Sequence, residues 1–258
     1  MFNLKSYIFL FSIGSSFAIN CIPFIFNPLR LSDVVFDRNS NNGLQVNNGI
    51  KLNLTQDDGD VIIKTNELFR YGKIDAILKV SRGVNIFSSF YLESQNKDKV
   101  IFNMMHSRGN EHNTVIQSNF FYQGNETNIN AKYHSVYGSL SQNWYKYTIA
   151  WFPDYYEWRI NNVLLRRLNK NEIDNFPDSP SHIKFSIWEG AKPWAGRGVR
   201  WNQAPFEYQI LSVQLHCYDT FTSNDSVVYV DTYMKNNSDY NGISIFMIFL
   251  SLLFSIIL

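Results

Sequence analysis

Short runs in which apolar and polar residues alternate, broken by Asn, Asp and Gly, fill most of this 258-residue chain. The alternation is clearest in KLNL, residues 51–54, and in SVQLH, residues 212–216. Alternating side chains point to opposite faces of a strand, so each run can bury one face. The runs that read as strands are GIKLNLTQ, GDVIIKT, GKIDAILKVS, NIFSSFYLES, NTVIQSNFFYQ, YKYTIAWF, YYEWRINN, VLLRRL, HIKFSIW and YQILSVQLHCY. Roughly ten to fourteen strands at this spacing predict an all-β fold, an antiparallel β-sandwich of jelly-roll type.

Local signals and composition agree with this fold. INNV, residues 160–163, predicts a two-residue hairpin turn, because Asn tolerates the positive φ that such turns require. The single helical candidate is a short turn at NKNEIDNF, residues 169–176. The 15 Tyr, 21 Phe and 6 Trp suit strands and aromatic-lined grooves. The formal net charge is +1 and there is no basic run, so we expect no nucleic-acid partner.

The first 18 residues have the composition of a cleaved signal peptide. Lys5 lies in a short leading segment, an apolar stretch begins at Tyr7, and Ser16 and Ala18 are the small residues that signal peptidase requires. The alternative is a membrane-spanning anchor, for which the apolar stretch is too short. The sequence therefore predicts secretion, with cleavage after Ala18.

The other end of the chain is apolar and uncharged from Ile243 to Leu258. A transmembrane span usually needs about 20 apolar residues and a basic cytoplasmic flank. A short tail without that flank fits a lipid-anchor signal cleaved near Asn236, Asn237 or Ser238, and a simple tail anchor remains open. Residues 219–242 are polar and read as a stalk, which leaves residues 19–218 as the folded domain. Either kind of anchor predicts attachment to a membrane at the cell surface.

A secreted chain can form a disulfide between its two cysteines and can be glycosylated at its sequons. In an oxidising compartment Cys21 and Cys217 are expected to form a disulfide that ties the N-terminal segment to the last strand. The Asn-x-Ser/Thr sequons, all in polar surroundings, begin at Asn53, Asn125, Asn224 and Asn236.

Five segments, in order, resemble the family 16 glycoside hydrolases, and in particular the fungal cell-wall chitin–glucan crosslinking transglycosylases. The segments are FRYGKIDAILKVSRGVNIFSSFYLES, QSNFFYQG, WYKYTIAWFPDYYEWRINNVLLRRL, IKFSIWEGAKPWAGRGVRW and ILSVQLHCY. The resemblance spans residues 33–218. It implies a concanavalin-like sandwich with a concave glycan groove.

The resemblance also implies where a catalytic strand would lie. In this family the two carboxylates of a retaining mechanism come from one strand with a Glu-x-Asp-x-Glu pattern, and the middle Asp tunes its neighbours. Counting back from QSNFF, residues 117–121, places that strand on VIFNMMH, residues 100–106. The nucleophile position becomes Ile101, the middle position Asn103 and the acid/base position Met105. A register slip of one residue offers no carboxylate either, so the motif is interpreted as degenerate.

Two carboxylates remain as fallback catalytic groups. Glu93 alternates with Tyr91 on the preceding strand, and Glu111 lies in the loop that follows the motif. His106, Glu111 and His112 match no strong metal-site spacing, so neither a metal site nor a cofactor is expected.

Aromatic residues suggest that a glycan groove could persist without these carboxylates. Sugars stack their apolar faces on aromatic rings and are oriented by a few polar groups. The resemblance implies that the glycan-binding residues are Asn119, Phe121, Trp188, Trp194 and Trp201.

Three functions follow from the sequence. The first is a surface-anchored, catalytically degenerate family member that binds cell-wall chitin or β-glucan and serves wall assembly. The second is an active glycosidase or transglycosylase that uses displaced carboxylates, Glu93 or Glu111. The third is a structural coat protein, which would bind no glycan.

Overall fold

The computed structural model describes residues 21–57, 59–106, 113–190 and 198–218. The strands in these residues are β1 (Phe24–Phe26), β2 (Val34–Arg38), β3 (Gly43–Val46), β4 (Gly49–Leu54), β5 (Val61–Thr65), β6 (Gly72–Lys79), β7 (Ile86–Ser94), β8 (Lys99–His106), β9 (Asn113–Phe121), β10 (Lys132–Tyr137), β11 (Tyr145–Phe152), β12 (Tyr155–Ile160), β13 (Val163–Asn169), β14 (Ser181–Glu189) and β15 (Phe206–Cys217). The helical segments in the same ranges are 3-10 turns at Leu31–Asp33, Ser40–Asn42, Asn128–Asn130, Lys170–Glu172 and Trp201–Gln203. None of these ranges contains a helix long and apolar enough to cross a membrane. The predicted signal peptide, stalk and C-terminal tail lie outside the described residues.

The strands form two antiparallel sheets. The first sheet has the order β13-β12-β11-β6-β15-β4-β3, with β1 paired to β15. The second sheet has the order β10-β9-β8-β7-β14-β5-β2. The predicted antiparallel β-sandwich is therefore confirmed, with one strand more than the upper end of the expected range in the described residues.

The core lies between the sheets and is filled by alternate residues of strands such as β4 and β6. Ile74 and Leu78 of the first sheet and Phe102 of the second are fully buried in it. The indole of Trp158, also fully buried, donates its Nε1–H to the backbone oxygen of Ile101 at 3.2 Å, which joins the two sheets. Aromatic side chains are suited to this role because each one buries a large apolar area.

The second sheet is shielded on both faces near its centre. All residues of β7, from Ile86 to Ser94, are buried. One face of β7 packs on the core, so the other face, which we call the outer face of the second sheet, is covered as well. Side chains of the outer face come from β14, β7, β8 and β9, which lie next to one another.

Two local predictions are confirmed by the backbone. Asn161 and Asn162 have φ values of 45° and 68° and connect β12 to β13 through a two-residue turn. Cys21 and Cys217 form a disulfide with a Cα–Cα distance of 5.6 Å, which attaches the segment before β1 to the end of β15.

Candidate functional site: the outer face of the second sheet

Strand β8 lies between β7 and β9, and its side chains alternate between the core and the outer face. Phe102 and Met104 are at most 1% exposed within the core cluster. Ile101, Asn103 and Met105 occupy the alternate positions and therefore share the outer face. The three positions that resemble the family's catalytic pattern thus face the same side, and a slip of one residue would place the motif in the core.

A row of neutral polar side chains crosses the outer face at Asn103. The register places Ser89, Asn103, Gln117 and Tyr133 opposite one another on β7, β8, β9 and β10. The Ser89 hydroxyl donates to Asn103 Oδ1 at 2.7 Å, and Asn103 Nδ2 donates to Gln117 Oε1 at 2.8 Å. Gln117 Nε2 donates to the Tyr133 hydroxyl oxygen at 3.2 Å. The row satisfies the hydrogen bonds of a buried amide without using any charged group.

An aromatic pair lies beside this row. Trp188 of β14 stacks on Phe87 of β7 with ring centroids 4.4 Å apart, and its Nε1–H donates to Ser89 Oγ at 2.9 Å. Gly190 makes room for Phe87, because a Cβ at residue 190 would lie 2.2 Å from the Phe87 ring. Trp188 is only partly buried, so part of its indole is exposed.

Three apolar side chains lie on the other side of the row. Tyr91, Ile101 and Phe121 form a small cluster separate from the main core, and each is less than 9% exposed. Ile101, which the sequence predicts at the nucleophile position, is therefore part of a packed apolar surface.

Charged side chains follow this cluster toward β2. Lys184 Nζ lies 2.6 Å from Glu93 Oε2 and 2.6 Å from Asp37 Oδ2. Lys64 Nζ lies 2.7 Å from the other Asp37 oxygen, and Lys99 Nζ lies 3.4 Å from the other Glu93 oxygen. Each carboxylate is thus held by two ammonium groups.

These contacts set the ionisation of the fallback residue Glu93. Burial alone would raise the pKa of Glu93, but the hydrogen bond from Lys184 and the charges of Lys99 and Lys184 hold it below its ordinary value. Burial would likewise lower the pKa of Lys184, and its hydrogen bonds to Asp37 and Glu93 raise it instead. Glu93 is therefore an ionised carboxylate at neutral pH, which cannot act as a proton donor there.

The remaining residues predicted to bind glycan or to act in catalysis differ in burial and in contacts. Phe121 belongs to the apolar cluster described above. Asn119 is fully buried, and its Oδ1 accepts the backbone N–H of Phe120 at 2.9 Å, so it presents little surface to a ligand. Trp201 is partly buried, with its ring 5.8 Å from that of Phe206 in an edge-to-face contact. Trp194 and Glu111 lie outside the described residues.

Two of the four predicted sequons lie within the described residues, and they differ in exposure. Asn125 is exposed in the loop after β9, whereas Asn53 lies on β4 with its Oδ1 buried. Asn224 and Asn236 lie outside the described residues. Within the described residues, no group of three or more His, Cys, Asp or Glu side chains is arranged to hold a metal ion.

Sequence reasoning missed the polar row as a unit. Gln117 lies in the QSNFF segment that served as the anchor for counting, and Ser89 lies on a predicted strand. Their relation to Asn103 depends on the pairing of β7, β8 and β9. The period-2 alternation could have assigned them to one face, but only the register makes them neighbours.

This fold and site define a class of protein. The sequence profile of glycosyl hydrolases family 16 matches residues 32–209, which is more than half of the chain. The chain belongs to this family.

Two fungal proteins of one branch of this family are similar in sequence to the chain. The chain is 31% identical over 181 residues to Congo red hypersensitive protein 1 of Saccharomyces cerevisiae, an alignment that covers 67% of this chain and 35% of that protein. It is 30% identical over 178 residues to Crh-like protein CRH12 of Candida albicans, covering 66% of this chain and 34% of that protein. The chain thus spans about a third of the length of these relatives. The predicted resemblance to this branch of the family is confirmed.

A solved structure shows the same fold. Crh5 transglycosylase in complex with NAG matches with a TM-score of 0.67 and 22% sequence identity, over 77% of this chain and 88% of that one. At this identity the likeness establishes the arrangement of the two sheets.

Proposed function

We propose that this protein is a catalytically inactive member of glycosyl hydrolases family 16 that binds chitin or β-glucan of a cell wall and serves wall assembly. The observation that carries the proposal is the outer face of β8, where Ile101, Asn103 and Met105 stand at the alternate positions. A retaining mechanism needs one carboxylate to attack and a second to protonate the leaving oxygen. An alkyl group, an amide and a thioether can do neither.

The surface beside these residues supports glycan binding. Trp188 offers an indole face that is fixed by Phe87 and by the hydrogen bond to Ser89. The neighbouring row of amides and hydroxyls is uncharged and ends at Tyr133, which is exposed and carries a hydroxyl that suits the hydroxyls of a neutral sugar. Crh5 transglycosylase, which shares the fold, has been solved in complex with NAG.

The second candidate function is an active retaining enzyme with displaced carboxylates, and one observation favours it. Glu93 and Asp37 both lie 2.6 Å from Lys184 Nζ, so their nearest oxygens are no more than about 5 Å apart, which does not exceed the carboxylate spacing of about 5 to 5.5 Å in retaining enzymes. However, Lys184 occupies the space between them, where a sugar would have to lie. Both carboxylates are paired ions, so we favour the inactive protein.

The cellular location forms part of the same proposal. The signal-like composition of residues 1–18 and the apolar residues 243–258 support secretion followed by attachment to a membrane at the cell surface. In this arrangement residues 19–218 form the glycan-binding domain, and residues 219–242 serve as the stalk. The sequons at Asn53, Asn125, Asn224 and Asn236 support a glycoprotein, with Asn125 favoured because it is exposed.

A polysaccharide pull-down tests the binding proposal. Protein expressed from the full chain is incubated with insoluble chitin or β-glucan, and the bound fraction is measured. We expect Trp188→Ala to weaken binding about tenfold, because it removes the stacking surface. Trp144→Ala is the matched control, since this partly buried Trp precedes β11 of the first sheet and lies under Lys79 at 5.0 Å. Failure of the unaltered protein to bind either glycan would contradict the proposal and favour a structural coat protein.

A further inference from the structure

The rings of Tyr91 and Phe121 lie on the outer face of the second sheet with a cation above them. Lys99 Nζ is 5.4 Å from the centroid of the Tyr91 ring and 5.7 Å from that of the Phe121 ring. Both distances fall within the range of about 6 Å for an ammonium attracted to a ring face. The two rings are 5% and 8% exposed. The Lys99 ammonium therefore lies where a sugar would have to approach these two rings.

Two carboxylates hold Lys99 in this position. Its Nζ lies 2.6 Å from Glu126 Oε1 and 3.4 Å from Glu93 Oε1. Glu126 belongs to the loop after β9 and its side chain is 59% exposed, whereas the Lys99 side chain is 15% exposed. Lys99 therefore connects β8 to this loop and passes over the Phe121 ring.

The binding surface proposed above lies at the opposite end of the same strands. Phe87, beside Trp188, and Glu93, beside Lys99, are six residues apart on β7, which corresponds to about 20 Å. The neutral polar row and the Tyr91–Ile101–Phe121 cluster lie between them. A glycan long enough to extend from Trp188 along the strands would reach the rings under Lys99.

We propose that Tyr91 and Phe121 form a second sugar-binding subsite that Lys99 occupies, so that Lys99 determines how long a glycan segment the protein binds. The ligand class is a neutral β-linked glycan, whose ring would stack its apolar face on the two aromatic rings. This inference rests on the proposed glycan-binding function. A sugar that displaces the Lys99 ammonium breaks its pair with the exposed Glu126, which is weak in water, and its longer contact with Glu93, which keeps Lys184 as a partner.

The lysine also makes the competition sensitive to salt. Screening weakens the pair between Lys99 and the exposed Glu126, whereas stacking of an uncharged sugar on an aromatic ring involves no ion pair. Added salt should therefore favour the long glycan in the unaltered protein and have no such effect when Lys99 is absent.

The test compares affinity across a series of oligosaccharides from dimer to hexamer, of both chitin and β-glucan type, by titration calorimetry. The proteins, each expressed from the full chain, are the unaltered form, Lys99→Ala, Glu126→Gln and the control Lys132→Ala, which changes an exposed lysine of β10. We expect Lys99→Ala to bind the hexamer about tenfold more tightly than the unaltered protein does, with dimer affinity unchanged. Glu126→Gln, on the exposed partner, should give a smaller gain in the same direction, and Lys132→Ala should give none.

The outcomes separate this inference from the function on which it rests. If the unaltered protein binds and both variants keep its dependence on glycan length, the subsite is wrong and the glycan-binding function stands. If the unaltered protein binds no oligosaccharide while Lys99→Ala does, the subsite is supported, and the unaltered protein is not a glycan binder. If neither protein binds, both proposals are wrong.

Discussion

At the scale of single residues, the outer face of the second sheet keeps its hydrogen bonds and lacks a reactive carboxylate pair on β8. Asn103 is 7% exposed and is bonded to Ser89 and Gln117 through both ends of its amide. A buried amide with both ends satisfied is stable without ionising, whereas a buried carboxylate would need a compensating cation. The residue at this position therefore suits a folded binding surface.

The pairing of Glu93 gives a pH-dependent prediction. Its pKa in the folded protein is below the ordinary value of 4.5, so its ion pairs stabilise the fold fully above pH 4.5 and are lost as the pH falls through the folded value. We expect Glu93→Gln to lower the free energy of unfolding by about 3 kcal/mol at neutral pH, because the buried Lys184 loses its buried carboxylate partner and keeps only the partly exposed Asp37.

Urea unfolding at a series of pH values measures this difference. The gap between the unaltered protein and Glu93→Gln should shrink as the pH falls from 4.5 through the lower pKa of Glu93 in the folded protein, where Glu93 gains a proton. Glu207→Gln is the matched control, since Glu207 pairs with Lys51 at 2.9 Å on the first sheet with its side chain 39% exposed. A gap that is equally large at acidic pH would show that Glu93 does not act through its charge.

At the scale of secondary-structure elements, the β12–β13 hairpin depends on residues that tolerate positive φ. Asn162 is exposed with φ of 68°, so a β-branched residue there would be strained. We expect Asn162→Val to lower the free energy of unfolding by about 1 to 2 kcal/mol. Asn162→Gly should leave it nearly unchanged, because Gly adopts positive φ freely. Chemical unfolding of both variants checks the difference, and equal losses would contradict this explanation.

The strands that the sequence predicts best are those with a buried face. β4 and β6 follow the burial alternation that their apolar pattern predicts. The strands that it missed are β1, β2, β3 and β10. They lie at the margins of the sheets, and several of their residues are exposed, so their stability comes from pairing with a neighbour rather than from an apolar face.

For the candidate site, the sequence predicted which residues of β8 share a face but did not predict their neighbours on other strands. Alternation along β8 was sufficient to assign Ile101, Asn103 and Met105 to one face. The pairing of Asn103 with Ser89 and Gln117 was not predictable, because cross-strand neighbours depend on the register of three strands. The position of Lys99 over two rings depends on side-chain conformations that no spacing rule gives.

At the scale of the whole molecule, the chain is a family 16 sandwich in which the strand that the sequence predicts to be catalytic, β8, carries Ile101, Asn103 and Met105 on its outer face. The disulfide between Cys21 and Cys217 closes the fold between the segment before β1 and the end of β15. Function in this family depends on a few side chains placed on a shared scaffold, so membership alone does not imply turnover. Retention of the scaffold with an aromatic and neutral polar outer face supports our proposal that binding is its role.

The most direct test of the account is a glycan-transfer assay with a labelled oligosaccharide acceptor and chitin or β-glucan as donor. Protein purified from the full chain should show no transfer and no hydrolysis, and Glu93→Gln should behave identically. The triple variant Ile101→Glu, Asn103→Asp, Met105→Glu should gain detectable turnover, because it restores two carboxylates to one face of β8. Turnover by the unaltered protein that persists through purification would contradict the account.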